Sequence, residues 1–241
     1  MSNKKTRLAI IIPAFNEEKT IKQVIKNIPN IPNIQQRIIV IDDGSVDNTL
    51  TYAKTQRVDI ISNKRHIGLG SVFKLGISYS LENKCNFIAI LDADGQYESK
   101  MLKNLIYLIY NENYDLVIGN RFINGGYFES GILKRLCNLL ISIFISKVLL
   151  RLDITYDVQS SFRVFNDRLA RLIIKKIEAK HNYAQEMFIL ANLYKFKIKQ
   201  IPVKCKKRIS GKSRLIKNPV LHLVRVIWIC IKTYVKNVNL K

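Results

Sequence analysis

Short apolar runs alternate with amphipathic segments through the first half of the chain. The runs are rich in isoleucine and bounded by turn residues, which is typical of strands buried on both faces of a parallel sheet. The predicted strands are Leu8–Ile12, Ile38–Ile41, Val58–Ser62, Phe87–Leu91 and Leu116–Ile118. Helical patterns lie between them, at Glu17–Ile28, Asn48–Gln56, Leu69–Leu81 and Glu98–Asn111. This alternation predicts right-handed βαβ units and an α/β fold with a mostly parallel sheet flanked by helices.

After residue 120 the pattern changes to longer helical segments. The predicted elements are a long apolar helix at Ile132–Leu152, a strand at Phe162–Phe165, helices at Asp167–Ile177 and Tyr183–Tyr194, a strand at Lys199–Cys205 and a last helix at Pro219–Lys236. We find no internal repeat and no linker. We therefore expect one domain over 1–216, long enough to form an enzyme core, followed by a basic amphipathic helix over 217–241.

Carboxylates follow three of the predicted strands. Glu17 closes the first apolar segment, Asp42 and Asp43 follow the second strand, and Asp92 and Asp94 follow the fourth. Ligands of open α/β sheets bind outside the carboxyl ends of the strands. Carboxylates gathered at that edge repel one another unless a cation or a set of sugar and ribose hydroxyls lies between them. The pattern indicates a metal-dependent enzyme acting on a nucleotide-linked substrate.

The turns that carry these carboxylates contain further candidate ligands. In Pro13-Ala-Phe-Asn-Glu17, Asn16 is predicted to cap the following helix, and Phe15 offers a flat surface for a base. In Asp42-Asp-Gly-Ser-Val-Asp47, Asp43 can accept from the ring N–H of uracil or guanine, or from ribose, and Asp47 is predicted to cap the next helix. In Asp92-Ala-Asp94-Gly-Gln96, two carboxylates and an amide oxygen suit Mg²⁺ or Mn²⁺.

Charge and composition narrow the partners. The 241 residues carry a formal net charge of +22, which implies an anionic partner. A nucleic-acid-binding protein is a remote alternative, because no recognised binding motif is present and the acidic strand ends would repel a phosphate backbone. The four cysteines are widely spaced, so we expect reduced thiols in a cytoplasmic protein. Neither a signal peptide nor a membrane span is predicted.

The two apolar helices have basic stripes. Lys134, Arg135, Asn138, Ser142 and Ser146 form a polar stripe on the first, and His222, Arg225, Lys232 and Lys236 share a face of the last, with Trp228 at its edge. Such helices suit a membrane interface, and the alternative is that they simply cover a sheet. We expect a peripheral protein on an anionic cytosolic membrane face. Because the sequence ends soon after Lys236, any span is expected to come from a partner subunit.

Together these motifs resemble the inverting family-2 glycosyltransferases, which have a Rossmann-like GT-A fold. Further similarities lie in Gly119-Asn-Arg121, Asp157-Val-Gln-Ser-Ser-Phe-Arg163, Gln185-Glu186 and Arg208-Ile-Ser-Gly-Lys-Ser-Arg214. They are most similar to the branch that contains dolichol-phosphate mannose synthases and bacterial polyprenyl-phosphate glycosyltransferases. The resemblance covers about residues 7–216. Two positions depart from it: Ser161 replaces a usual glycine, and His66 lies in a segment that more often contains asparagine.

The resemblance implies roles for particular residues. The nucleoside would contact Pro13, Phe15, Glu17, Ile41 and Asp43. Ribose, metal and diphosphate would contact Asp92, Ala93, Asp94 and Gln96. Donor phosphates would also contact Arg208 and Arg214, and the acceptor phosphate would contact Arg121 and Arg135. Solvated or structural ion-pairing roles are the alternatives for the last two. For His66 we favour a local loop contact over catalysis.

The implied reaction is metal-dependent, inverting transfer of a hexose from a nucleotide-sugar to a dolichyl- or undecaprenyl-type phosphate. GDP-mannose is the favoured donor, and a UDP-sugar is the alternative. A lipid phosphate is already an anion, so the reaction needs metal and cationic side chains more than a general base. A second hypothesis is transfer to a hydroxyl of a glycan or glycolipid, for which Asp157 and Glu186 are the candidate bases. The candidate catalytic residues are therefore Asp94, Arg121, Asp157 and Glu186.

Overall fold

The computed structural model describes residues 5–178, 182–209 and 219–238. The strands are β1 (Thr6–Ala14), β2 (Ile34–Asp42), β3 (Asp59–Ser62), β4 (Phe87–Ile90), β5 (Leu116–Asn120), β6 (Tyr127–Phe128), β7 (Arg163–Asn166), β8 (Ile198–Pro202) and β9 (Lys204–Cys205). The helices are α1 (Ile21–Lys26), α2 (Thr49–Lys54), α3 (Leu69–Glu82), α4 (Leu102–Asn111), α5 (Ile132–Ile143), α6 (Asp167–Lys176), α7 (Tyr183–Leu193) and α8 (Pro219–Val238).

Seven strands form the main sheet, in the order β3-β2-β1-β4-β7-β5-β8. All neighbouring pairs are parallel except those of β7, which runs antiparallel between β4 and β5. The chain leaves β1 toward β2 and β3 on one side and returns to β4 on the other. The resulting crevice between β1 and β4 is where open α/β sheets bind ligands.

Alternation along β1 divides the core into two layers. Ala9 and Ile11 pack with α3, α6, α7 and α8, whereas Leu8, Ile10 and Ile12 pack with α1 and α4. Successive strand side chains point to opposite faces, so a strand covered on both faces must be apolar throughout. This explains why the isoleucine-rich runs lack polar positions. The mostly parallel α/β sheet expected from the sequence is confirmed.

Several local predictions were wrong. Helix α1 begins at Ile21 rather than Glu17, and Asn16 does not cap it: this residue has φ +54°, and its side chain accepts from the Val46 backbone N–H at 2.9 Å. Helix α2 has Asn48 rather than Asp47 at its N-cap position, although Asp47 accepts from the Thr49 N–H at 3.0 Å. Asn16 therefore ties the first turn to the second instead of capping α1, whereas Asp47 both bonds the start of α2 and accepts from the Glu18 N–H of the first turn at 3.3 Å.

Two longer elements also differ from their predicted form. The strand predicted at Lys199–Cys205 divides at Val203: β8 joins the main sheet, and β9 pairs with β6 in a separate two-stranded sheet that the sequence pattern did not indicate. The long apolar helix runs as α5 and then changes to a π-helical segment at Phe144–Leu149. Helix α8 packs against α5 and α7, which completes the wall beyond the carboxyl ends of the strands.

Candidate active site

A cavity of 360 Å³ lies at the carboxyl ends of β1, β2 and β4. The turns after these strands form one wall, and α5, α7 and α8 form the other. Most of the predicted site residues line it: Pro13, Phe15, Glu17, Asp43, Asp92, Ala93, Asp94, Gln96, Arg121 and Arg208. A larger hollow of 630 Å³ lies at the amino ends of the first three strands, away from these carboxylates.

Other predicted residues lie elsewhere. Ile41 is fully buried in the core, Asp157 is fully buried behind the cavity, and Arg135 is exposed on α5. Glu186 is buried beside a separate hollow of 240 Å³, where it accepts from the Thr233 hydroxyl at 3.1 Å. None of these four lines the cavity. Arg214 lies outside the described residues, so its expected contact with donor phosphates stays a prediction.

Arg208 lies among the carboxylates of the donor wall. Its Nε donates to Asp94 Oδ2 at 3.0 Å, and its Nη2 donates to Glu17 Oε1 at 2.9 Å. These contacts join β1, β4 and the segment after β9 across the crevice. The carboxylates that follow separate strands therefore converge, and a cationic group lies between two of them, as the charge argument from the sequence requires.

Burial and mutual repulsion perturb these acids. Burial raises the pKa of Glu17 to about 7, with a further increase from Asp94 and an opposing effect of Arg208. Burial and the Asp94 charge also raise the pKa of Asp92, against the hydrogen bond from Ser161. Acids whose pKa rises in a cleft are stabilised by added positive charge, which makes this cluster a candidate cation site.

The donor set fits a hard divalent cation only in part. Asp92 and Asp94 provide carboxylate oxygens, but the described residues contain no group of three or more His, Cys, Asp or Glu side chains placed to hold a metal. Mg²⁺ commonly binds through one or two carboxylates together with substrate phosphates and water. Gln96, predicted as a third ligand, donates its side-chain amide to the Lys206 carbonyl at 2.8 Å.

Ser161 contacts Asp92, one of the predicted metal ligands, directly. Its hydroxyl donates to Asp92 Oδ2, and both residues line the cavity. A glycine at this position, as in the resembling family, has no group that could make this contact. The departure at Ser161 therefore adds a hydrogen bond to Asp92.

Arg121 is held in a buried ion pair at the base of the cavity. Its Nε and Nη2 donate to the two oxygens of Asp157 at 2.6 and 2.8 Å, and its backbone N–H donates to the same carboxylate at 3.1 Å. The guanidinium also lies 4.2 Å from the Phe128 ring centroid. Burial opposes its charge, but Asp157 more than offsets this and raises the pKa of Arg121. Asp157 is thus committed to Arg121 and is not placed to act as a base on a substrate.

The opposite wall contains groups that sequence reasoning had not assigned. Lys134 of α5 lies 5.7 Å from the Phe128 ring centroid, and burial lowers its pKa. Asn138, one turn later, accepts from Gln159 at 2.6 Å, and His222 of α8 lies 3.4 Å from the same glutamine. Lys134, Asn138 and Ser142 are spaced i, i+4, so they share one face of the helix, and Arg135 lies off that face. This spacing was the feature of the sequence that could have placed Lys134 rather than Arg135 in the site.

Two buried polar atoms of this wall have no hydrogen-bond partner among the described residues. They are the Tyr183 hydroxyl and the Gln185 Oε1, and both residues line the cavity. Buried polar groups are normally paired, so such atoms call for a partner such as water or ligand. The cavity thus has an acidic wall and an opposite wall that carries Lys134 and these two polar atoms.

Comparisons with known proteins agree with this geometry. Residues 9–171 match the model of the family described as Glycosyl transferase family 2. The chain belongs to this family, and it is accordingly a glycosyltransferase that uses a nucleotide-sugar donor. Its fold is the GT-A fold expected from the sequence.

Two curated relatives are similar to this chain over most of its length. A UDP-N-acetylglucosamine–dolichyl-phosphate N-acetylglucosaminyltransferase of Methanococcus voltae is 30% identical over 214 residues, covering 81% of this chain and 84% of the relative. An uncharacterized protein of Methanocaldococcus jannaschii is 32% identical over 202 residues, covering 83% and 82%.

Solved structures of glucosyl-3-phosphoglycerate synthase from Mycobacterium tuberculosis share the fold. A complex with Mn²⁺, UDP and glucosyl-3-phosphoglycerate has a TM-score of 0.71 at 17% identity and covers 95% of this chain and 80% of that one. A complex with Mg²⁺ and UDP has a TM-score of 0.68, also at 17% identity, and covers 98% and 80%.

Proposed function

We propose that this protein transfers a sugar from a nucleotide-sugar to a polyprenyl phosphate at a membrane surface. The observation that carries the proposal is the arrangement of the cavity. Carboxylates suited to a metal–diphosphate lie on one wall, Lys134 lies on the other, and Arg121 lies at the base, where cations suit a second phosphate. The M. voltae relative, whose name includes a dolichyl-phosphate acceptor, supports the same acceptor class.

On the donor side, Asp92 and Asp94 would hold Mg²⁺ or Mn²⁺, and the diphosphate would complete the coordination. The ion would supply positive charge to the leaving diphosphate. Arg208 is already within reach of this position, because it contacts Asp94 and Glu17. We expect its guanidinium to turn from these carboxylates to the diphosphate oxygens when donor binds, since a planar guanidinium matches phosphate geometry.

On the acceptor side, the part of the chain that the structure describes contributes two cations to the cavity lining, Lys134 and Arg121. Lys134 would contact the acceptor phosphate directly, and Arg121 would add positive charge from behind while Asp157 holds it in place. A phosphate monoester needs no general base to attack, so the distance of Asp157 and Glu186 from the cavity does not oppose this reaction. That distance argues against the alternative of a hydroxyl acceptor activated by either residue.

The membrane contact is proposed from α5 and α8, which also form the cavity wall. Among the described helices, none combines the length and hydrophobicity that a membrane span requires. Both helices nevertheless expose large apolar side chains: Ile132, Leu133, Leu136 and Leu140 on α5, and Val224, Trp228, Ile231 and Val235 on α8. Apolar side chains beside Arg225, and beside Lys232 and Lys236, which also contact Glu178, suit an anionic interface on the cytosolic face. Each nearby cation contributes about 1 kcal/mol there.

Two donors remain as specific proposals. GDP-mannose follows from the sequence resemblance. A UDP-linked N-acetylhexosamine is favoured by the name of the M. voltae relative and by the UDP in the structural neighbours. We give the UDP-sugar preference, because the 30%-identical relative covers most of both chains, whereas the mannose assignment has only motif similarity behind it.

A transfer assay tests the proposal. Purified protein is mixed with radiolabelled UDP- or GDP-sugars and either polyprenyl phosphate or polyprenol, with Mn²⁺, Mg²⁺ or EDTA. We expect metal-dependent label in the lipid phase with polyprenyl phosphate only. Asp94→Asn should abolish transfer, and Asp167→Asn, which changes a partly exposed acid at the start of α6, should leave it intact. Transfer to polyprenol, transfer by wild type in EDTA, or retained transfer by Asp94→Asn would contradict the assignment.

Vesicle sedimentation tests the membrane contact separately. Wild-type protein should co-sediment with vesicles containing anionic phospholipid and be released by salt. Leu136→Asp should weaken binding, because Leu136 is 50% exposed on α5. Tyr107→Asp is the matched control, since Tyr107 is a comparably exposed apolar side chain on α4. Equal loss in both variants would show that α5 is not the contact surface.

A further inference from the structure

Both oxygens of the Asp43 carboxylate accept hydrogen bonds from neighbouring residues of the same chain. Its Oδ1 accepts from the Asn63 side chain at 3.1 Å and from the Ile67 N–H at 2.9 Å, and its Oδ2 accepts from the Gly68 N–H at 3.1 Å and His66 Nδ1 at 2.7 Å. A carboxylate has about four lone-pair positions. Asp43 could accept a base N–H only by losing one of these contacts, which changes the role expected for it from the sequence.

The contacts of Asp43 fix the segment Asn63–Gly68 against the end of β2. Gly44 has φ +79°, and a Cβ there would lie 2.9 Å from the Arg65 carbonyl carbon. Only a glycine allows the two backbones to approach this closely. The position of His66 is therefore determined by the Asp43-Gly44 turn, not by chance packing of an exposed loop.

His66 lies over the aromatic ring predicted to hold a base. Its imidazole stacks on Phe15 with ring centroids 4.5 Å apart and planes inclined by 19°. The side chain is 51% exposed, and both residues line the cavity. Nδ1 is occupied by the Asp43 carboxylate, so Nε2 at the other side of the ring is the nitrogen left for a ligand, and it is an acceptor when the imidazole is neutral.

We infer that His66 Nε2, rather than Asp43, reads the base of the nucleotide donor by accepting its ring N–H. Uracil N3–H and guanine N1–H are such donors, whereas cytosine and adenine lack a ring N–H on this edge. The inference rests on the proposed donor class, and it makes His66 a specificity-determining residue. It also gives a function to the histidine that departs from the resembling family.

Binding measurements with methylated nucleotides test this contact. Calorimetry with Mn²⁺ compares UDP with N3-methyl-UDP, and GDP with N1-methyl-GDP, on wild type and His66→Phe. The phenyl ring keeps the stacking surface and removes the acceptor. One neutral hydrogen bond corresponds to about a 3- to 10-fold change in affinity. We expect methylation to lower the affinity of wild type by this factor. His66→Phe should bind the methylated and the unmethylated nucleotide with equal affinity.

The controls separate this inference from the proposed function. Lys64→Ala changes an exposed cation of the same segment and should keep the wild-type ratio. Thermal unfolding followed by circular dichroism confirms that His66→Phe is folded, and the wild-type ratio is informative without any variant. If wild type binds UDP or GDP but does not discriminate against methylation, or if His66→Phe keeps the discrimination, the inference is wrong. If wild type binds neither nucleotide, the proposed donor class fails and the inference with it.

Discussion

The Arg121–Asp157 pair offers the sharpest test of how the cavity is built. Asp157 has 0% side-chain exposure and Arg121 has 7%, and three N–H groups of Arg121 converge on the carboxylate. Replacing Asp157 by asparagine keeps the shape but leaves the guanidinium charge without a counter-ion. Breaking a buried pair in this way costs about 3–5 kcal/mol. For a domain of this size, that corresponds to a fall of roughly 10 °C in the midpoint of thermal unfolding.

Urea unfolding followed by circular dichroism measures this loss. The matched control is Asp167→Asn, which breaks the exposed i, i+4 contact to Arg171 and should cost less than about 1 kcal/mol. The double variant Arg121→Met with Asp157→Leu removes both charges and should recover most of the stability, because apolar groups of similar volume can replace a buried pair. It should still fail in sugar transfer, since Arg121 lines the cavity.

Two results would refute the reasoning. A cost below about 1 kcal/mol for Asp157→Asn, equal to that of the control, would mean that the pair is not buried as described. Stable, folded Asp157→Asn protein with abolished transfer would instead show that the carboxylate is needed for transfer, on the substrate or in positioning Arg121, and not for stability. The stability measurement therefore tests the buried pair, and the activity measurement tests whether transfer depends on it.

Three further predictions follow from the site. Lys134→Ala should raise the KM for polyprenyl phosphate about tenfold or more, because one charge-assisted contact is lost. Arg135→Ala should change this KM little, and equal effects of the two substitutions would contradict the inward position of Lys134. The raised pKa of Glu17, about 7, means that its contribution to metal-free stability is fully present below its ordinary pKa of 4.5 and is lost as the pH rises through 7. Urea unfolding in EDTA should show this decline, of roughly 3 kcal/mol at most, in wild type and not in Glu17→Gln. Ser161→Gly should weaken Mn²⁺ binding, measured by electron paramagnetic resonance, because Asp92 loses its orienting hydrogen bond; unchanged affinity would show that the contact does not position the acid.

The carboxylate edge of the site follows from local sequence. The apolar runs identify strands because a strand buried on both faces has no place for polar side chains, and the acids follow where each run ends. The order of connected βαβ units then brings the ends of β2, β1 and β4 together. Glu17, Asp43, Asp92 and Asp94 were found on this basis, and all four line the cavity.

Tertiary structure alone decided which groups meet across the cavity. The contacts of Arg208 with Glu17 and of Ser161 with Asp92 join residues 191 and 69 positions apart. No local periodicity encodes such pairs, because they depend on the paths of intervening loops and on how α5 and α8 pack.

The same reason explains why the residues that face the cavity differ from those expected from the sequence at two places. The sequence places Lys134 and Arg135 side by side, but only the rotation of α5 against the sheet directs the lysine inward and leaves the arginine in solvent. Asp43 follows its strand as predicted, yet the segment containing His66 folds back onto it and takes up its acceptor capacity. The sequence by itself determined the strands, the acidic edge and the family resemblance. The fold decided which side chains remain available to a substrate, because availability depends on every partner that packing brings within reach.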